Sequence, residues 1–228
     1  LDDRGSGSWS SVMKGVERAI EFKQEDPDRP MVVSMSLGGR ASKAPEDDPL
    51  VQMIEKAQKE HGIWFVIAAG NSGPRQGTVG TPGISPSATT VAAMDTKGTA
   101  TQDDDSVASF SSRGREDGAK GQTLNIAANG VKEFSTMPGG KWSEMSGTSM
   151  ATPNVAGAAA LLLDVAYDLH AQGKLSKHPD EMIKDGSLQK ILYSTANDHA
   201  NFPVTDEGAG ELRVDLAVEA LMKQAANA

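Results

Sequence analysis

The chain has 228 residues, a hydrophobic fraction of 38% and a formal net charge of −9. That is enough apolar chain for a packed core, and the negative charge repels phosphate backbones, so nucleic acid is excluded as an expected partner. The absence of cysteine rules out disulfides, thiolate metal sites and a cysteine nucleophile.

Val12, Val16, Ala19 and Ile20 recur at helical spacing, which predicts an amphipathic helix from about Trp9 to Lys23, ended by Pro27 and Pro30. Met31 to Leu37 is a short apolar run with β-branched residues, closed by Gly38 and Gly39, and reads as a buried strand. Residues 41–48 are polar and loop-like. Leu50, Val51, Ile54 and Ala57 mark a second helix that ends near Gly62. Ile63 to Ala69 is a second apolar strand, closed by Gly70-Asn71-Ser72-Gly73-Pro74, and Thr89 to Ala93 is a third. Helix, strand, helix, strand in this order favours an α/β domain with a parallel sheet.

Residues 95–146 are rich in glycine and serine, with short strand-like pieces. Ala151 to Tyr167 is Ala-rich and apolar nearly all round, the pattern of a buried central helix. Leu188, Ile191 and Leu192 suggest a further helix, and Val214 to Met222 a last one. There is no internal repeat and no interdomain linker, so one domain over residues 1–228 is expected. No run of about 18 apolar residues occurs, so no membrane span is expected. No secretion signal is visible. The chain begins at Leu1 and reads as a piece of something longer.

The sharpest chemical feature is Gly147-Thr148-Ser149-Met150-Ala151-Thr152-Pro153, a small-residue turn running into an apolar helix. Ser149 falls near the helix start, where unpaired N–H groups and the helix dipole favour developing negative charge. Pro153 is tolerable in a first turn, because its missing N–H would be unpaired there. Ser149 as a simple N-cap fits the spacing equally well. A second feature is Ile67-Ala68-Ala69-Gly70-Asn71-Ser72-Gly73, which puts an amide just past the end of a buried strand. Parallel α/β sheets bind ligands at such strand ends, and an asparagine there can donate to an oxyanion; it can equally be a turn residue. A third is Ser34-Met35-Ser36-Leu37-Gly38-Gly39, a strand ending in glycines that allow close backbone approach.

In this order and over nearly the whole chain, the three segments strongly resemble the subtilisin-like serine proteases (subtilases, peptidase family S8). Phe110-Ser111-Ser112-Arg113-Gly114 resembles the turn between the family's oxyanion asparagine and its nucleophile, and Gly208-Ala209-Gly210 with Leu212–Ala220 resembles the end of its catalytic domain. The resemblance implies an α/β, three-layer fold with a mostly parallel central sheet flanked by helices, its N-terminal part lying outside this chain. It implies serine endopeptidase activity on polypeptide substrates. Ser149 matches the nucleophile and Asn71 the side-chain donor of the oxyanion hole, with the Ser149 N–H as second donor. Ser36, Leu37 and Gly38 match the edge that pairs with extended substrate and forms one pocket wall; Ala68, Ala69 and Gly70 match the other. The pocket floor falls near Gly80. Small walls imply a sizeable apolar side chain at the residue before the cleaved bond. No cofactor is required for the chemistry, and a secreted or extracytoplasmic location is implied.

The chain departs from the family in lacking the glycine-rich motifs of the triad aspartate and histidine. The Leu1–Gly7 opening resembles the strand end and loop that follow the histidine. Of the four histidines, His61 is expected at a helix end, and His170, His178 and His199 lie in a polar C-terminal third without catalytic context. Completion is therefore expected from an N-terminal fragment or chain that carries the aspartate and histidine and docks against residues 1–37. A non-catalytic interaction or regulatory domain is the alternative, disfavoured by the intact Ser149 and Asn71. The sedolisins share a Gly-Thr-Ser motif but use aspartate where this chain has Asn71. Asn129-Gly130 stands where family members usually have Pro-Gly, and a tight turn is expected to survive. Asp103-Asp104-Asp105 is a solvated acidic loop or, less favoured, a calcium cluster. Structural calcium is compatible with the resemblance, with no ligands assigned. The 10 methionines are expected as core filler.

Overall fold

Strand β2 (Trp64–Ala68) is apolar and buried along its whole length, as a strand covered on both faces must be. The computed structural model describes Asp2 and residues 5–226. Around β2 lie β1 (Val32–Met35) and β3 (Thr89–Asp95), both parallel to it, and β3 pairs in parallel with β5 (Ile126–Asn129). A short β4 (Ser106–Val107) runs antiparallel to the end of β3. Met35 stands opposite Ile67 and Ala68 opposite Val91, so β1 and β2 end side by side. The parallel sheet expected from the alternation of elements is present, with β1 shorter than the Met31–Leu37 run.

The period of two sorts the side chains. Trp64 and Val66, with Val91, Ala93, Ile126 and Ala128, pack beneath α3 (Thr148–Ala171). Met35, Phe65 and Ile67 point the other way, against α1 (Trp9–Glu25) and α2 (Pro49–His61). Helix, sheet and helix make the three layers expected. α1 starts at Ser8, whose hydroxyl accepts from the Ser11 N–H. Asp48 caps α2, and Gly62, at φ 66°, ends it in a left-handed turn.

Two expectations are corrected by exposure. α3 is not buried all round. Its buried side follows Ala151, Val155, Ala159, Leu162 and Ala166, while Leu161 is 48% exposed on the other side. By length and composition α3 could cross a membrane, but its apolar face is spent on the sheet. The methionines also divide: Met35, Met94 and Met182 are buried, whereas Met145 and Met222 are exposed.

The sequence patterns for α5 (Ser187–Ser194) and α7 (Val214–Ala226) hold. Three elements carry no legible pattern: α4 (Pro179–Lys184), α6 (Val204–Glu207) and the antiparallel hairpin of β6 (Glu133–Met137) and β7 (Lys141–Met145). The helices are too short to show a period, and β7 is exposed at every position, so no buried face imposes alternation.

α4 matters because it fixes α1. Lys23, 2% exposed in its side chain, donates from Nζ to Asp180 Oδ2 at 2.7 Å and to the Arg29 carbonyl at 2.7 Å. Asp180 Oδ1 accepts from the Tyr167 hydroxyl at 2.8 Å. Burial, aided by Asp180, pushes the Tyr167 phenol well above its ordinary value. A buried ion pair thus joins α1, α3 and α4.

Candidate active site

The carboxyl ends of β1 and β2 and the N-terminus of α3 meet at one end of the sheet, around a cleft of about 970 Å³. Ser36, Leu37, Gly38, Ala68, Ala69, Gly70, Asn71 and Ser149 all line it. Segments far apart in sequence converge there because parallel strands put all their carboxyl ends on the same side.

Gly147 is the N-cap of α3, so Ser149 sits inside the first turn. The reading of Ser149 as the cap itself is corrected. Its N–H is one of the helix's unpaired donors and meets no acceptor among the described residues. Asn71 comes off the turn after β2. Its Oδ1 accepts from the Thr148 N–H at 2.9 Å and from the Thr148 hydroxyl at 3.1 Å. A backbone N–H can only donate, which fixes the amide's orientation and leaves Nδ2 pointing away from Thr148. The Thr148 hydroxyl in turn accepts from the Gly70 N–H at 3.2 Å. A Cβ built on Gly147 would stand 3.4 Å from Asn71 Nδ2 and 3.7 Å from the Ser149 nitrogen. Gly147 therefore keeps open a gap that both donors border.

Pro153 is not in the first turn of α3 as expected but in the second. Lacking an N–H, it leaves the Ser149 carbonyl without its helical partner. The Ser36 hydroxyl donates to that carbonyl at 2.8 Å, and the Ser149 hydroxyl donates to the Ser36 carbonyl at 3.4 Å. This reciprocal pair locks the start of α3 to the end of β1. Sequence reasoning assigned Ser36 to substrate contact and missed this second task; Pro153 four residues after Ser149 was the available signal.

The two walls are joined at the back. Gly39 and Thr81 exchange backbone hydrogen bonds, each 2.9 Å, and the Gly80 N–H donates to the Ala69 carbonyl at 2.9 Å. A Cβ on Gly80 would come within 2.5 Å of the Gly39 carbonyl oxygen, so only glycine allows this approach. Gly38 makes no backbone hydrogen bond among the described residues and lies free along the cleft. Ala69 is fully buried, with its N–H bonded to Val91, so it supports the wall from behind. Gly130 serves closeness as well as turning: a Cβ there would meet the Gly147 carbonyl oxygen at 2.8 Å. Asn129 uses its side chain locally, on Glu133 and the Val131 N–H.

Leu1, Asp3 and Arg4 of the opening segment lie outside the described residues; Gly5, Ser6 and Gly7 line the cleft. Among the described lining residues there is no histidine and no carboxylate, and the charged ones are Arg40 and Arg75. His61 ends α2 as expected. His178 caps α4 and packs edge-on against His170 and Tyr167. The acidic run is not simply solvated: Asp103 and Asp104 are exposed, but Asp105 is 6% exposed.

A three-layer α/β fold with this cleft at its strand ends is that of the subtilisin-like proteins. The subtilase family pattern (Peptidase S8) matches residues 1–213, and the chain belongs to that family. Serine protease AprX of Bacillus subtilis (strain 168) is 42% identical over 186 residues, covering 74% of this chain and 42% of that protein. Subtilisin of Bacillus pumilus is 38% identical over 181 residues, covering 78% of this chain and 52% of that protein. The chain thus spans about half or less of the length of these relatives. Among solved structures, the patellamide maturation protease PatA superposes with a TM-score of 0.72 at 26% identity, over 97% of this chain and 72% of that one.

Proposed function

We propose that this chain is the nucleophile-bearing part of a serine endopeptidase catalytic domain that cleaves polypeptides through an acyl-enzyme. The observation that carries the reading is the gap bordered by Asn71 Nδ2 and the Ser149 N–H, beside the Ser149 hydroxyl. Ser149 Oγ attacks the peptide carbonyl carbon, and its proton passes to a base. The carbonyl oxygen, now negative, falls between the two donors. Both are held by the fold before substrate arrives, so little reorganisation opposes the charge. The peptide chain lies along Ser36, Leu37 and Gly38, whose free Gly38 backbone groups suit strand addition, and faces Ala68 and Gly70 across the cleft.

The base and the group that orients it come from a segment outside this sequence that carries a histidine and an aspartate and docks beside residues 5–37. The absence of a histidine among the described cleft residues supports that assignment. With no base in reach, Ser149 rests on the Ser36 carbonyl, so this chain alone is inactive.

The test is labelling with a fluorophosphonate, which phosphonylates only an activated serine as fluoride leaves. The full-length protein is expected to react at Ser149, the Ser149→Ala variant not to react, and the chain of residues 1–228 alone to react poorly. A full-length, folded protein that is never labelled would instead favour a binding-only domain. Gly147→Ala supplies an independent check. Its φ of 161° is extended backbone open to alanine, so folding persists while the added methyl fills the gap in van der Waals contact with both donors. Turnover is expected to fall about 10²-fold, comparable to losing one oxyanion donor, in a steady-state peptide hydrolysis assay.

A further inference from the structure

Away from the cleft, the loop after β3 folds back onto the segment between α5 and α7. It brings Asp105 against Glu211 and His199, with ligand-capable atoms of all three within 4.8 Å of one another. Asp105 is 6% exposed and Glu211 5%. Asp105 Oδ1 and Glu211 Oε2 are both buried without a hydrogen-bond partner. The Glu211 main chain is held in place by two 2.8 Å hydrogen bonds exchanged with Asn197. Two carboxylates that accept only, facing each other out of water, need a proton or a cation between them.

His199 decides between the two remedies. Both oxygens of Glu207, itself fully buried, hold this residue: Oε2 contacts Nδ1 at 2.8 Å and Oε1 accepts from the backbone N–H at 3.1 Å. A carboxylate on Nδ1 fixes the ring with Nε2 turned inward, where it donates to the Gln102 carbonyl; a metal ion there would displace that proton and take Nε2 as a ligand. Nε2 lies 3.5 Å from Glu211 Oε2 and 3.0 Å from the Gln102 carbonyl oxygen. Ligands on a tetrahedral zinc ion, bound at about 2.0–2.1 Å, are about 3.4 Å apart, so these separations need little adjustment.

We propose that Asp105, His199 and Glu211, with the Gln102 carbonyl oxygen, form a structural site for a divalent transition-metal ion of the zinc type. Four protein ligands close the coordination shell, as in structural rather than catalytic zinc sites. An imidazole beside two carboxylates suits zinc better than calcium, which takes six to eight oxygens. The ion would pin the loop after β3 to the C-terminal segment. None of its ligands lines the Ser149 cleft, so the proposal stands or falls apart from the protease reading.

The experiment uses full-length protein carrying Ser149→Ala, to prevent self-digestion, stripped with EDTA and titrated calorimetrically with zinc chloride or calcium chloride. One zinc per chain is expected, with Tm raised by about 5–10 °C at a hundredfold excess over Kd, and calcium should not substitute. Asp105→Asn and Glu211→Gln should each abolish binding. In EDTA each should melt no lower than the parent, since each removes one of two facing carboxylates. The proposal is overturned if the parent binds no zinc, if calcium binds equally, if both variants still bind, or if both are destabilised in EDTA.

Discussion

Changing Asn71 to alanine is expected to lower turnover about 10²–10³-fold, roughly 2.7–4 kcal/mol, a magnitude established for the oxyanion asparagine of subtilisin, a member of this same family, and carried over from it. KM should change little, because the lost interaction forms only with the transition state. Asn71→Asp is the sharper variant. Its carboxylate can still accept from Thr148, as Asn71 Oδ1 does at 2.9 Å and 3.1 Å, so the start of α3 stays anchored. What it lacks is the Nδ2 donor, and its second oxygen repels the oxyanion. The loss in kcat should equal or exceed that of alanine, with an unchanged melting temperature. Equal kcat for Asn71→Asp and the parent, in a peptide hydrolysis assay near pH 8, would remove Asn71 from the chemistry.

The second large effect concerns stability. Asp180→Ala is expected to cost about 3–5 kcal/mol, because removing one partner of a buried ion pair leaves the other charge uncompensated. Lys23 is 2% exposed and would retain only the Arg29 carbonyl, while the Tyr167 hydroxyl would lose its acceptor. Replacing both partners, Lys23→Met with Asp180→Leu, should cost less than Asp180→Ala alone, since well-packed apolar side chains often match a buried pair. Urea unfolding of the parent, Lys23→Met, Asp180→Leu and the double variant closes the cycle. Additive losses would mean that the two charges do not interact. The pair links residues 157 positions apart, so its loss should also loosen α1, whose Trp9 lines the cleft.

The extent to which the sequence carried these conclusions differs from element to element. Long periodic segments were legible. The apolar run 63–69 read as a strand because it is short, rich in β-branched and aromatic residues and closed by glycine, and the spacing of Leu50, Ile54 and Ala57 read as a helix because burying one face imposes a period. The short run Gly147–Pro153 and the turn at Gly70–Gly73 were legible for a different reason: they resemble motifs of the subtilase family, whereas the residues alone fit an N-cap and a turn equally well. The hairpin of β6 and β7 was not legible, since a solvated strand leaves its residues unconstrained.

What the residues could not state is who meets whom. The sequence by itself determined that Ser149 begins an apolar helix, that Asn71 follows a buried strand, and that no glycine-rich histidine motif is present. Only the tertiary structure decided that Thr148 orients the Asn71 amide, that Ser36 completes the hydrogen bonding broken by Pro153, and that Gly147 keeps the space between two donors clear. The same holds for Asp105, His199 and Glu211, which no local pattern connects. Local periodicity records how each residue is buried; a site records which distant residues share one small volume, and chain topology fixes that.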